Sequence, residues 1–172
     1  MTRFQHCLRI VLKNEGGYVN HKADRGGATN MGITQRVYSD FCKVTGRPDK
    51  DVKNITMDEV EAIYAGYWKD AHCSYLPEPL DLQMFDFAVN SGATRAKKML
   101  QRVLGVDEDG VIGRQTLDAL HEEVIAAGAE SVANALLDER ARFFDRIIER
   151  DPTQAAFAKG WMRRIDHMRE FA

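Results

Sequence analysis

Two segments near the N-terminus are the most informative part of the sequence for the fold. They are Asn14-Glu15-Gly16-Gly17-Tyr18 and Asp24-Arg25-Gly26-Gly27-Ala28-Thr29-Asn30-Met31-Gly32-Ile33-Thr34. Five glycines fall within the seventeen positions from Gly16 to Gly32. Each glycine inside a helix costs roughly 0.5–1 kcal/mol relative to alanine, so a helix does not continue through this region. Glycines at this density indicate tight turns, or a backbone that another group approaches closely. Residues 16–33 therefore predict turns and a short β-hairpin.

Helices are predicted on both sides of these segments. The first ends near Glu15, where the glycine pair follows, and its apolar stripe consists of Phe4, Cys7, Leu8, Val11 and Leu12. Thr34 is a predicted N-cap for a helix from Gln35 to about Val44. Thr56 and Glu59 have the spacing of a capping box at the start of the next helix.

The remaining chain also predicts helices. Residues 80–89 are apolar on nearly every face, which is typical of a central, buried helix. Further helices are expected over residues 93–104, 114–122, 131–150, with Ser131 as the cap, and 154–171. The predicted fold class is all-α, mainly helical, with a small β-hairpin or irregular element near the N-terminus.

Composition limits the classes of function. The chain has 172 residues, a net charge of -2 and a charged fraction of 29%, which gives no overall attraction to nucleic acid or to an anionic membrane. Its three cysteines and five histidines match no disulfide framework or metal motif, so we expect no metal and no cofactor. No apolar run reaches the ~18–20 residues of a membrane span. Cations interrupt the N-terminus, so we expect synthesis in the cytoplasm without a standard signal peptide, and release by another route.

Glu15 and Asp24 are candidate paired carboxylates. Glycoside hydrolysis uses a protonated acid for the leaving oxygen and commonly a second carboxylate across the sugar. The carbonyl end of a helix dipole disfavours a negative charge at Glu15, which favours the protonated form. Lys22 and Arg25 flank Asp24 and favour its ionised form. From the spacing alone, the favoured interpretation of two acids in loops is that they are ordinary solvated surface residues.

The first segments, with Phe85-Asp86-Phe87-Ala88-Val89-Asn90-Ser91-Gly92 downstream, resemble the N-acetylmuramidases of glycoside hydrolase family 108, which include phage endolysins and secretion-associated muramidases. The stretch from Ala96 to Leu120 resembles the predicted peptidoglycan-binding segment that usually follows in that family. The resemblance implies a lysozyme-like fold with a catalytic segment at 1–92 and a helical peptidoglycan-binding-like segment at 93–172, packed into one structural unit. It also implies action on peptidoglycan glycan strands in the periplasm or the host wall, and we expect the protein to be a monomer.

The resemblance implies a role for each candidate site residue. Glu15 is the general acid, and Asp24 and Thr29 organise water beneath the sugar or stabilise positive charge on it. The candidate substrate-binding residues are Tyr18, Asn30, Tyr67, Trp68 and Asn90. For Tyr67 and Trp68, which lie on an apolar helical stripe, a core role is the favoured interpretation and a sugar contact is the alternative. Asn90 is equally able to cap the following helix, and the family resemblance favours a role in the cleft.

The implied reaction is cleavage of the β-1,4 bond between N-acetylmuramic acid and N-acetylglucosamine, as in lysozymes. Three alternatives remain open from the sequence: a non-catalytic peptidoglycan-binding module, a secretion-apparatus scaffold, and a glycosidase of chitin or chitosan. We expect inversion at the anomeric carbon, because a threonine beside an acid indicates an ordered water.

Overall fold

A computed structural model describes residues 1–20 and 27–172 of the chain. Within these residues it contains eight α-helices and one two-stranded antiparallel hairpin, so the predicted all-α fold with a small β element near the N-terminus is confirmed. The chain divides into two units, residues 1–66 and residues 67–172, each with its own internal packing. None of the described helices is long and apolar enough to cross a membrane.

Helix α1 (Arg3–Lys13) opens the first unit. Thr2 and Gln5 form a reciprocal capping box, in which the Thr2 side chain accepts from the Gln5 amide and the Gln5 side chain accepts from the Thr2 amide. The apolar stripe expected from the sequence is largely buried. The amide of Glu15 donates to the carbonyl of Leu12 at 3.2 Å, so Glu15 lies directly after the last turn of the helix. The predicted end near Glu15 is confirmed.

The hairpin consists of β1 (Thr29–Asn30) and β2 (Ile33–Thr34), in which Thr29 pairs with Thr34 and Asn30 with Ile33. Met31 and Gly32 connect the strands with φ angles of 49° and 75°. Two successive residues with positive φ are typical of the tight turn that matches the right-handed twist of a hairpin.

Local capping residues fix the next two helices. Thr34 accepts from the Val37 amide at the start of α2 (Gln35–Thr45), and Gly46 ends that helix with a left-handed conformation. A 3₁₀ turn, Val52–Asn54, precedes α3 (Met57–Asp70). The predicted capping box of α3 is confirmed, because Glu59 Oε2 accepts from the Thr56 amide at 2.9 Å and Thr56 Oγ1 accepts from the Glu59 amide at 3.3 Å. Residues 67–70 of α3 belong to the second unit.

The second unit is built on α4 (Leu80–Ser91), and every residue from Leu80 to Ala88 is buried, as expected. Helices α5 (Ala93–Val103) and α7 (Ala129–Arg150) both pack against α4. Helices α6 (Arg114–Ala127) and α8 (Ala155–Arg169) pack against α7. A 3₁₀ turn, Cys73–Tyr75, precedes α4, and another, Pro152–Gln154, connects α7 to α8.

Two predicted helix boundaries are wrong. Helix α7 begins after Gly128, with φ 89°, rather than at Ser131, and α6 extends to Ala127 rather than ending near Glu122. The physical reason is the same for both. No helix-breaking residue stands between Glu122 and Gly128, and alanine favours the helix, so the glycine alone separates the two helices.

Candidate functional site

The side chain of Glu15 lies directly against Gly32 in the hairpin turn. A Cβ atom built on Gly32 would stand 2.6 Å from Glu15 Oε2 and 2.9 Å from Glu15 Cδ, distances that real Cβ atoms do not adopt. Position 32 therefore requires glycine for two reasons. Its φ is 75°, and the Glu15 carboxyl group occupies the space that a side chain would need. The Glu15 side chain is half-buried, and a carboxyl group in such a place can exchange a proton with a bound ligand.

Tyr64 approaches the same turn from α3. Its hydroxyl donates to the carbonyl oxygen of Met31 at 2.8 Å, and it would stand 2.7 Å from a Cβ atom on Gly32. Because the tyrosine is fully buried, it holds the turn in one position. The turn, Tyr64 and the Glu15 carboxyl thus form one packed group in the first unit.

Thr29 lies at the base of the hairpin. Its amide donates to the carbonyl of Val19 and its carbonyl accepts from the Val19 amide, each at 2.8 Å. Residues 19 and 29 are therefore held side by side, with the segment that carries Asp24 between them. Asp24 itself lies outside the described residues. Thr29 is half-buried, and its hydroxyl donates to the Gly27 carbonyl at 3.5 Å.

Asn30 and Tyr18 occupy different environments in the first unit. Asn30 is buried, and its amide nitrogen donates to the carbonyls of Val52 and Lys53 at 3.2 and 3.3 Å. That side chain therefore ties the hairpin to the 3₁₀ turn. Tyr18 is exposed, and the Lys53 ammonium lies 5.6 Å from the centre of its ring. A substrate-binding role for either residue stays a prediction.

Tyr67 and Trp68 belong to the second unit. Tyr67 lines a cleft of about 570 Å³ together with His72, Tyr75 and Lys97. Trp68 is 8% exposed, packs edge-on against Phe85 with ring centres 5.3 Å apart, and donates to Ser74 Oγ at 2.8 Å. The packing of Trp68 is that of a core residue, whereas Tyr67 is half-buried at the cleft. Neither arrangement tests contact with a sugar.

Asn90, at the end of α4, is held in one orientation. Its side-chain oxygen accepts from Arg140 Nη2 at 3.2 Å and from the Ser91 hydroxyl at 2.9 Å. With its oxygen occupied in this way, the exposed amide presents its NH₂ group as a donor. It therefore suits a ligand atom that accepts a hydrogen bond, such as the carbonyl of an N-acetyl group.

Arg140 is itself fixed by a buried ion cluster. Its Nη1 donates to Asp86 Oδ2 at 2.7 Å, and Arg164 Nε donates to both oxygens of Asp86 at 3.0 Å. Burial opposes ionisation of Asp86, but the charges of the two arginines outweigh it and hold the pKa of this carboxyl below its ordinary value. Donors from two arginines therefore satisfy the buried Asp86 carboxylate, and the cluster anchors Asn90 through Arg140.

The described residues contain no group of three or more His, Cys, Asp or Glu side chains able to hold a metal ion. The Asp109 region is a turn in which Oδ1 accepts from the Val111 amide and from the Gln101 side chain, both at 2.7 Å. Cys7, Cys42 and Cys73 are buried free thiols.

The sequence reasoning missed the parts of Gly32, Tyr64 and Arg140. The neighbouring sequence indicates only that Gly32 lies in the predicted hairpin turn, and it does not indicate the contact with Glu15. Tyr64 reads as one more apolar position on α3. Arg140 lies 50 residues from Asn90 and 54 from Asp86 along the chain, so no spacing rule connects them.

Comparison with known proteins relates these features to two families. A model of the family described as glycosyl hydrolase 108 matches residues 8–92, and one described as a predicted peptidoglycan domain matches residues 95–166. Among solved structures, the chain is similar to SagA of Brucella abortus, with 38% sequence identity and a TM-score of 0.79. That alignment covers 97% of this chain and 91% of the SagA chain. A comparison with curated proteins found no match.

Proposed function

Because the chain belongs to glycosyl hydrolase family 108 and is a peptidoglycan hydrolase, we propose that it is a lysozyme-type N-acetylmuramidase with Glu15 as its general acid. It cleaves the β-1,4 bond between N-acetylmuramic acid and N-acetylglucosamine. The observation that carries the proposal is the position of Glu15. Its half-buried carboxyl lies after the last turn of α1 and against Gly32, within a group that Tyr64 makes rigid.

In the proposed reaction, Glu15 gives its proton to the glycosidic oxygen as the bond to the anomeric carbon of N-acetylmuramic acid breaks. The N-acetylglucosamine residue leaves with a free hydroxyl, and the muramic acid ring carries oxocarbenium character. Water then adds to the anomeric carbon. Asp24 accepts a proton from that water or stabilises the positive charge, and Thr29 helps to position the water.

The stereochemical outcome follows from the carboxyl separation, which is about 6.5–9.5 Å in inverting enzymes and about 5–5.5 Å in retaining ones. We propose inversion, with Asp24 as the base. The backbones of Val19 and Thr29 are joined by a pair of 2.8 Å hydrogen bonds. This pairing supports the role of Asp24, because it anchors both ends of the segment that contains Asp24.

Substrate contacts are proposed for Tyr18, Asn30, Tyr67, Trp68 and Asn90. Among these, the exposed ring of Tyr18 and the oriented amide of Asn90 suit direct contact best. Residues 1–92 are proposed to carry the catalysis, and residues 93–172 to hold the enzyme on the wall. The enzyme acts there as a monomer, in the periplasm or at the host wall.

Digestion of purified sacculi by matched variants tests the general acid. Glu15→Gln keeps the size of the side chain but removes the proton, and we expect it to lower the release of new reducing ends by about 10²–10⁴-fold. Pull-down on insoluble peptidoglycan should survive in the same variant. Glu122→Gln, an exposed glutamate on α6, is the control and should retain full activity.

Two outcomes would overturn the assignment. If Glu15→Gln releases reducing ends at the wild-type rate, Glu15 is not the acid. If the wild-type protein binds sacculi but releases none, the chain is a binding module or a scaffold. Parallel assays on chitin and chitosan decide the substrate, because a muramidase requires N-acetylmuramic acid at the cleaved bond.

A further inference from the structure

A cleft of about 520 Å³ lies along α5 in the second unit, and we call it the α5 cleft. Its lining includes Arg95, Lys98 and Arg102 from α5, Glu108 from the following turn, Phe143 from α7, and Ser91. Three of these side chains are cations and one is a carboxylate. The whole chain has a net charge of -2, so this positive surface is a local feature.

One of the three cations is already neutralised. Arg102 forms a two-pronged ion pair with Glu108, at 2.8 and 2.7 Å, and also donates to Glu139 at 3.2 Å. Because these hydrogen bonds use both edges of the guanidinium, Arg102 forms part of the wall of the cleft. The charge available to a ligand therefore resides on the two remaining cations.

Arg95 is held in place without a carboxylate partner. Its Nη1 donates to the carbonyl oxygen of Ser91 at 2.9 Å, and its guanidinium lies 5.0 Å from the centre of the Phe143 ring. These contacts order the side chain but leave its positive charge uncompensated among the described residues. An ordered guanidinium with free N–H groups is suited to a planar, two-pronged contact with a carboxylate.

Lys98 stands one turn further along α5, on the same face as Arg95. Its aliphatic carbons pack over Gly110, where a Cβ atom would stand 3.4 Å from Lys98 Cε. Its charge favours the ionised forms of Glu108 and Asp109, yet it forms no ion pair with any described residue. The two cations thus flank an opening that is bounded by the apolar Phe143 and the buried Met99.

The chemistry of this cleft specifies an anionic ligand that accepts hydrogen bonds. A neutral amino-sugar chain gives no charge for Arg95 and Lys98 to compensate. Peptidoglycan differs from such a chain because its muramic acid residues carry short peptides with free carboxylates. The peptidoglycan domain match spans residues 95–166, which include both cations and Phe143.

We propose that the α5 cleft binds the carboxylates of the peptidoglycan stem peptide, with Arg95 and Lys98 as the contacts and Phe143 as an apolar wall for an alanine side chain. The inference rests on the proposed function, and it explains how the enzyme would select peptidoglycan over chitin. It also predicts that amidation of the stem carboxylates weakens the attachment of this enzyme to the wall.

Binding of free stem peptide to the intact protein tests the proposal. The probe is the tetrapeptide L-Ala-D-Glu-diaminopimelate-D-Ala, with its amidated form, chitotetraose and oligo(glycerol phosphate) for comparison, and titration calorimetry is the measurement. In Arg95→Gln/Lys98→Gln we expect the dissociation constant for the tetrapeptide to rise at least about tenfold. Lys159→Gln/Arg163→Gln removes two exposed cations from α8 and should bind as the wild type does.

A further variant and a change in salt concentration distinguish the possible results. Arg95→Lys should restore part of the affinity that Arg95→Gln loses, and higher salt should weaken the binding. The proposal is overturned if the wild-type protein does not bind the tetrapeptide, if the amidated peptide binds equally well, or if both double variants lose affinity alike. Tighter binding of oligo(glycerol phosphate) would assign the cleft to a phosphate polymer instead. The free peptide has no glycosidic bond, so failure of muramidase activity would not affect this test.

Discussion

Oε2 of Glu15 lies 2.6 Å from the point at which a Cβ atom would stand on Gly32. The carboxyl group and the hairpin turn therefore occupy complementary spaces, and neither can move far without the other. Tyr64 adds a third constraint through its hydrogen bond to the Met31 carbonyl. The general acid proposed for this enzyme thus depends on a residue that has no side chain.

Substitution of Gly32 should damage activity more than stability alone explains. In Gly32→Ala, the methyl group strains a backbone with φ 75° and displaces the Glu15 carboxyl. We expect a loss of about 1–2 kcal/mol in unfolding free energy from the backbone, and a fall of about 10²-fold in activity from the displaced acid. Denaturant titration and sacculus digestion measure the two effects separately.

Gly46→Ala is the matched control for this prediction. Gly46 has a similar φ of 67°, but a Cβ atom there would meet nothing within 4 Å. It should lose comparable stability and keep its activity. If both variants lose activity equally, the close approach of Glu15 to Gly32 is not important for activity.

Asn90→Asp tests the orientation of the Asn90 amide. The new side chain can still accept from Arg140 and Ser91, but it has no NH₂ group to donate. We expect unchanged or slightly increased thermal stability, since a carboxylate pairs well with Arg140. If the amide donates to substrate, its loss should raise KM on soluble glycan fragments about fivefold. Ser91→Ala keeps the donor and should leave KM near the wild-type value, whereas an unchanged KM in Asn90→Asp would exclude the contact.

Glu139 makes the stability of the second unit dependent on acid pH. Burial disfavours its charge, but hydrogen bonds from Arg146, Arg142 and Arg102 outweigh burial and lower the pKa of the carboxyl to about 2, from an ordinary 4.5. A lowered pKa in the folded state stabilises the protein above pH 4.5, and this contribution is lost as the pH falls towards 2. Because the arginine partners are partly exposed, we expect it to be about 2 kcal/mol.

Urea titrations at several pH values measure this contribution. The wild-type protein should lose it between about pH 5 and pH 2, and Glu139→Gln should show a flatter profile with lower stability at neutral pH. Glu149→Gln changes an exposed glutamate on the same helix and should follow the wild type. Parallel profiles for wild type and Glu139→Gln would contradict the assignment.

Local signals predicted the helices well because they act within a few residues. The N-cap at Thr34, the left-handed Gly46 and the reciprocal bonds of Thr56 with Glu59 are all determined by neighbours in sequence. The boundary at Gly128 was missed because a serine three residues later offered an alternative cap. A glycine with positive φ separates two helices without any side-chain bond, so its local signal is weaker.

Contacts between residues that lie far apart in the sequence could not be predicted from local patterns. The partners of Asp86 on the apolar helix α4 are Arg140 and Arg164, which lie 54 and 78 residues away, so no local pattern identified them. The position of Glu15 at the end of α1 was predictable, whereas its contact with Gly32, 17 residues further along the chain, depends on where the folded hairpin turn lies. The α5 cleft combines residues from α5 and α7, and only the folded chain brings them together.

The identity of the sugar at each new reducing end tests the central proposal most directly. Purified sacculi are digested with the wild-type protein, reduced with borohydride and examined by mass spectrometry, with Glu15→Gln as the inactive control. We expect N-acetylmuramitol at the newly formed ends, and none above background in the variant. Products ending in N-acetylglucosaminitol, or muramitol released equally by Glu15→Gln, would contradict it.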